Sequence, residues 1–231
     1  MTSFIPISLG FLCDSRIHIK YHYHLYKENG YKTCPFDEMM SNYKGVIDCI
    51  NDDFKYFCDI DSTKIKTIYS DKVENFIYNN KYNFIFNHES PGHANLYQTQ
   101  MWPQGINHFV NNNYENFVIR YQKRIDNFRN YLNSGNHIIF VLHRYNNNTN
   151  DLTELDSVIR NKYPNLSFEF QLLQDNNYER IYRHQFMMGI TDDDPYNESK
   201  RFHPTHIFYH LHKDYNPIIF RNFQDENKLL S

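Results

Sequence analysis

YENFVIRYQKRIDNFRNYLNSGNHIIFVL, residues 114–142, carries two patterns in succession. Phe117, Tyr121, Ile125, Phe128 and Leu132 recur at steps of four, four, three and four, the period of an amphipathic helix. Arg120, Lys123, Arg124 and Arg129 fall among the remaining positions and read as a solvated face. Ser134-Gly135 stops the helix, and the unbroken run from His137 to Leu142 then reads as a buried strand. Downstream, Leu152 to Lys162 repeats the helical spacing through Leu155, Ile159 and Tyr163, Tyr163-Pro164-Asn165 breaks it, and Phe168 to Leu173 is a further strand. Helix, strand, helix, strand is the succession of an α/β layer, so the expected fold is a mostly parallel sheet flanked by helices.

Outward from this centre the signals are shorter. Phe4 to Leu9 is an apolar run ending at Gly10, a buried strand. Asp14 to Glu28 predicts a helix with Asn29-Gly30 as its stop, and Met39 to Ile50 a second one. Cys34-Pro35-Phe36-Asp37 is a loop, Asp53 to Cys58 an aromatic-rich turn, and Tyr82 to Phe86 a strand. In the tail, His206 to Leu211 and Pro217 to Phe220 read as strands. The expected organisation is one α/β domain over residues 1–231, with 176–231 as an irregular C-terminal extension.

Lys plus Arg total 24 against 27 for Asp plus Glu, a net charge of −3 that gives no global attraction to nucleic acid or to an anionic membrane. No apolar run is long enough to span a bilayer, and Met1-Thr2-Ser3-Phe4 opens no secretory signal. A cytoplasmic protein is expected, in the host cytoplasm if the source is viral. Tyr (20) and Phe (19) are abundant and Ala occurs once, as AT-rich codons produce, which suggests an AT-rich eukaryote, bacterium or large DNA virus. The core must therefore be built from Ile, Phe and Tyr, and each buried Tyr hydroxyl needs a partner. Cys13, Cys34, Cys49 and Cys58 show no CxxC spacing; reduced thiols are expected, with two disulfides formally open. Neither GxGxxG nor GxxxxGK[ST] is present, which disfavours dinucleotide and P-loop chemistry.

Chemistry concentrates at Ile7-Ser8-Leu9-Gly10-Phe11-Leu12-Cys13-Asp14-Ser15. A strand ends, Gly10 permits a tight turn, and a helix starts near Cys13. Ligands of α/β sheets gather at such junctions. A thiol there feels the positive end of the helix, which favours thiolate and lowers its pKa. The alternative is a small apolar residue packed under the first helix. His88, just past the strand 82–86, is the candidate base, with Asp37 or Asn87 to orient its ring. Asp37 reads equally well as a helix N-cap. Arg144, at the end of the strand that begins at His137, is a candidate for binding a substrate carboxylate or phosphate, as Gly10 and Asn87 are for substrate contact.

Ile7-Ser8-Leu9-Gly10 with Cys13 three residues on, then Pro35-Phe36-Asp37, Asp53-Phe54 with Phe57, and Phe86-Asn87-His88 follow one another in an order that resembles the domain family called putative papain-like cysteine peptidases. The basic stretch from Tyr121 to Phe128 before the strand His137 to Arg144 extends the likeness, which covers most of residues 4 to 175. The resemblance implies Cys13 as nucleophile and His88 as its base; Asp37 comes over as a motif position without an assigned role. One departure is Glu38, which stands where the family usually has an aromatic residue.

The expected function is thus a cysteine-dependent hydrolase or acyl transferase acting on a peptide or small acyl substrate, with no cofactor. A metal-dependent, glycosyltransferase-like reading rests on Asp192-Asp193-Asp194, whose Asp192 and Asp194 would hold Mg or Mn against a sugar nucleotide. His203, His206, His210 and His212 could bind zinc, although His is frequent in this chain. A non-catalytic binding module on the same fold is the third alternative.

Overall fold

The computed structural model describes residues 4–10, 13–67, 75–92, 102–144 and 149–174. The elements are β1 (Phe4–Ser8), α1 (Asp14–His22), α2 (Tyr43–Asn51), β2 (Thr63–Thr67), β3 (Asn75–Asn79), β4 (Phe84–Ile85), α3 (Asn111–Leu132), β5 (His137–Arg144), α4 (Thr149–Lys162) and β6 (Phe168–Gln174). β1, β5 and β6 form a parallel sheet with β5 in the middle, where Ser8 pairs with Val141 and Arg144 with Gln174. The expected mixed α/β fold with a parallel sheet is what forms. The tail strands and the extension 176–231 fall outside the described residues.

Central placement explains the unbroken apolar run of β5. Successive side chains point to opposite faces, and both faces are covered. Ile139 and Val141 pack with Ile19 of α1 and Tyr31. Ile138, Phe140 and Leu142 face the larger core, which holds the whole α3 stripe and Leu155 and Ile159 of α4. Asn112, Asn113 and Tyr114 are left-handed, so α3 runs as a regular helix only beyond them; Asn tolerates that region better than most residues.

A second sheet was not legible. β2, β3 and β4 pair antiparallel, with Tyr78 opposite Ile85. Two other elements are shorter than expected. α1 ends at His22 because His24 turns left-handed, and the chain from Lys27 to Asn29 forms a 3-10 turn instead. α2 starts at Tyr43, not Met39, because Met40 exchanges backbone hydrogen bonds with Ile85 (3.0 and 2.9 Å), and the Asn42 side chain caps the helix by accepting from Gly45 N–H at 2.7 Å. Asp37 therefore caps no helix. All four cysteines are free thiols.

Candidate active site

The turn after β1 is tied in three places. Ser8 Oγ donates to the Phe36 carbonyl (3.4 Å) and accepts the Gly10 N–H (3.1 Å), while Ser15 Oγ donates to the Gly10 carbonyl (2.6 Å). Gly10 itself has φ +91°, and a Cβ there would sit 2.1 Å from Ser41 Oγ. The Gly10→Ala variant should lose at least about 1–2 kcal/mol from the left-handed backbone alone, read as a lower urea midpoint with an unchanged m-value.

Cys13 follows at the mouth of α1, where its carbonyl accepts the first helical bond from Ile17 N–H at 2.8 Å. The residue is partly exposed. Its thiol is nevertheless pushed up to about 12, first by burial among neighbouring atoms and then by the Asp14 charge; its own N–H pulls the other way, and Glu38 raises it again. This corrects the expectation of a lowered pKa. The helix end does favour thiolate, but Asp14 in the first turn offsets that field, and desolvation outweighs the remainder.

The loop 34–41 lies between the end of β1 and β4. Phe36 is held by Ser8, Ser41 abuts Gly10, and Met40 bridges Ile85. Asp37 anchors it from inside. Fully buried, it accepts the Cys34 N–H at 2.8 Å and the Tyr31 hydroxyl at 3.2 Å to each oxygen, and Arg16 Nε stands 4.0 Å away. Burial raises its pKa to about 7 against the opposing pull of the Cys34 N–H and Arg16.

His88 lies in the 3-10 turn Asn87–Glu89 directly after β4. That strand belongs to the antiparallel sheet, whereas Cys13 follows a strand of the parallel one, so the candidate nucleophile and base do not come from one sheet. What links the two is the 34–41 loop, whose Glu38 carboxylate acts electrostatically on both. Burial lowers the His88 pKa; Glu89 and Glu38 oppose that shift, and Arg124 and Arg120 assist it. Asn87 is buried, and its Oδ1 finds no hydrogen-bond partner among the described residues. Arg144 closes β5 at the C-terminal end of the parallel strands, three residues beyond Val141, the partner of the last β1 residue Ser8, but its side chain is outside the described residues. Asp192, Asp194 and the histidines from His203 to His212 are outside them as well. Among the described residues no three of His, Cys, Asp and Glu gather as metal ligands, and no helix is long and apolar enough to cross a membrane.

The residues missed from sequence are those around Glu38. Arg124 is buried, not solvated: its Nη2 donates to Glu38 at 2.6 Å, and its Nη1 lies 3.4 Å from Glu89. Arg120 Nε meets Glu89 at 2.7 Å, and Tyr121 donates its hydroxyl to Glu89 at 2.8 Å. Burial alone would raise Glu38, but Arg124 and then Lys27 hold it down at about 2. A signal was present: Arg124 follows Tyr121 by three and precedes Phe128 by four, so it lies on the apolar stripe itself, where a cation needs a buried partner.

Residues 5–177 match a family model described as "Putative papain-like cysteine peptidase". No curated protein and no solved structure matches the chain. The matched span takes in β1, Cys13, the 34–41 loop, His88, α3 and both strands that complete the parallel sheet, and it is from this extent that the chain is assigned: it belongs to the family of that description.

Proposed function

We propose that the protein is a cysteine-dependent hydrolase or acyl transferase in which Cys13 is the nucleophile and His88 the base. The observation that carries this is the position of Cys13, partly exposed where a parallel strand gives way to a helix, in a chain of this family. With the thiol raised and the imidazole lowered, both groups rest neutral. The thiol proton then passes to His88 as Cys13 Sγ attacks the acyl carbon, and the imidazolium returns it to the leaving group. Glu38 disfavours a standing thiolate and favours the imidazolium, so its field delays ionisation until an electrophile is engaged. Asp37 acts at one remove, by fixing the loop that carries Glu38.

Cys58 provides an internal control, because it too is partly exposed and burial raises its thiol to about 12. Labelling with a peptide chloromethyl ketone at pH 7 should modify Cys13 at least about 100-fold faster than Cys58, the acceleration that a positioned base supplies. His88→Ala should bring the two rates together, and Cys13→Ala should abolish acyl transfer. Equal rates in the unmodified protein would instead favour the non-catalytic binding module, a reading that the enclosed thiol supports.

A further inference from the structure

A cleft of about 490 Å³ opens between α3 and the segment after α1. One wall is a stripe of α3 at helical spacing: Arg120, Lys123, Arg124 and Asn127. The facing wall brings Lys27 and Lys32 from the other segment. Five cations therefore line one cleft in a chain whose net charge is −3. Its walls are fixed to one another. Asn127 Nδ2 donates to the Thr33 carbonyl at 3.0 Å, the Lys32 N–H donates to Tyr131 Oη at 2.7 Å, and Lys27 and Arg124 both grip Glu38.

The charges do not cancel. The carboxylates that pair with the lining are Glu38 and Glu89. Between them they occupy Lys27, Arg120 and Arg124. Lys32 and Lys123 make no ion pair among the described residues, and both are exposed. Two exposed lysines thus line the cleft from its two walls, together with Arg120, whose side chain is about one-third exposed at 37%. Like charges held in one cleft raise the local potential and are relieved by an anion that reaches both.

We propose that this cleft binds a dianionic phosphate group. Two unpaired lysines match two negative charges, whereas a single carboxylate neutralises only one of them. The lysines act as point charges on flexible stems, the mode in which Lys binds phosphate. Three further cations, partly neutralised by two acids, keep the surrounding field positive. Five of the 24 Lys and Arg residues line this cleft in a chain of net charge −3, a compact cluster that suits a single phosphate better than a nucleic-acid backbone. The inference stands apart from the chemistry of Cys13, since Lys32 and Lys123, the two residues that carry it, are assigned no part in the acyl transfer.

The test is calorimetric titration at low ionic strength and pH 8 with inorganic phosphate, O-phosphoserine and acetate, on the full chain. Saturable one-to-one binding of the phosphates is expected, with acetate at least about tenfold weaker. Tighter binding of phosphoserine assigns the site to an esterified phosphate, and tighter binding of the inorganic ion to free phosphate; either result supports the proposal. Changing Lys32→Gln and Lys123→Gln together should weaken phosphate binding about 100-fold, near tenfold for each charge-assisted hydrogen bond, with the melting temperature unchanged because both side chains are exposed. Cys13→Ala should bind phosphate as the unmodified chain does, so loss of the acyl chemistry leaves this result intact. Absence of saturable phosphate binding, acetate binding as tightly, a double variant that binds normally, or a short oligonucleotide that binds more tightly than phosphoserine would each overturn the proposal.

Discussion

Arg124→Met destabilises the protein by about 3 kcal/mol, the cost of taking one buried guanidinium away from two carboxylates, Glu38 and Glu89. Glu89 is fully buried, and its oxygens are shared among Arg120, Arg124 and the Tyr121 hydroxyl. Methionine fills much of the arginine's volume, so the loss is electrostatic rather than a cavity effect. Arg120 stays with Glu89 at 2.7 Å, but it is one-third exposed and was there already, so Glu89 keeps one cation where it had two. Glu38 loses its strongest partner in the same step. In a domain of this size the expected fall in melting temperature is roughly 10 °C. Arg160 gives the contrast: its ion pair with Asp156 is as short, at 2.8 Å, but lies in solvent, and Arg160→Met should leave the melting temperature where it was. Adding Glu89→Gln to Arg124→Met removes the buried charge that has lost one of its two cations and should restore part of the loss. If Arg124→Met melts with Arg160→Met, the cluster is solvated and its electrostatics are those of the surface.

The sequence displayed what repeats and hid what is assembled from a distance. α3 and α4 were legible because each carries a helical period, and β5 declared its central place by an unbroken run that is apolar on both faces. The expectation that a buried Tyr hydroxyl needs a partner also holds: Tyr121 finds Glu89 and Tyr31 finds Asp37. β2 and β3 were not legible because Thr63–Thr67 alternates Thr and Lys with one Ile, and β3 is flanked by asparagines. Their pairing is satisfied between strands, which a window on one strand does not register. At the site, Cys13 and His88 stand out by residue type and position. Glu38 and Glu89 do not, since each is an ordinary acid until α3 brings Arg120 and Arg124 to it, the latter 86 residues beyond Glu38 along the chain. The solvated face of the basic helix holds for Lys123 and, in part, for Arg120 and Arg129, and fails at Arg124, because position 124 lies on the stripe that the apolar residues define.

Asp37 should make the fold less stable as pH rises through neutrality, and Asp37→Asn should remove that dependence. The sign follows from the direction of the shift. The carboxyl ionises near 3.8 when the chain is unfolded and at about 7 in the fold. The native state therefore holds the proton more tightly, so the contribution is complete below about pH 4 and is lost as pH rises towards 7. A shift of this size corresponds to about 4 kcal/mol. Two other groups move in different senses. Glu38, held at about 2 against an ordinary 4.5, contributes stability above pH 4.5 that is lost as pH falls towards 2. His88, lowered by burial, costs stability as pH falls below 6.5. The difference between the unmodified chain and Asp37→Asn isolates Asp37 from both. In urea titrations the two should be about equally stable near pH 4, and the variant should be more stable by a few kcal/mol near pH 8. A difference that stays flat from pH 4 to 8 would mean that the carboxyl is ionised throughout, held by Arg16 and the Cys34 N–H more firmly than its burial opposes. If Asp37→Asn stabilises the fold at neutral pH while slowing acylation of Cys13, the buried carboxylate is a charge kept at the expense of stability, which is the mark of a group serving the site rather than the core.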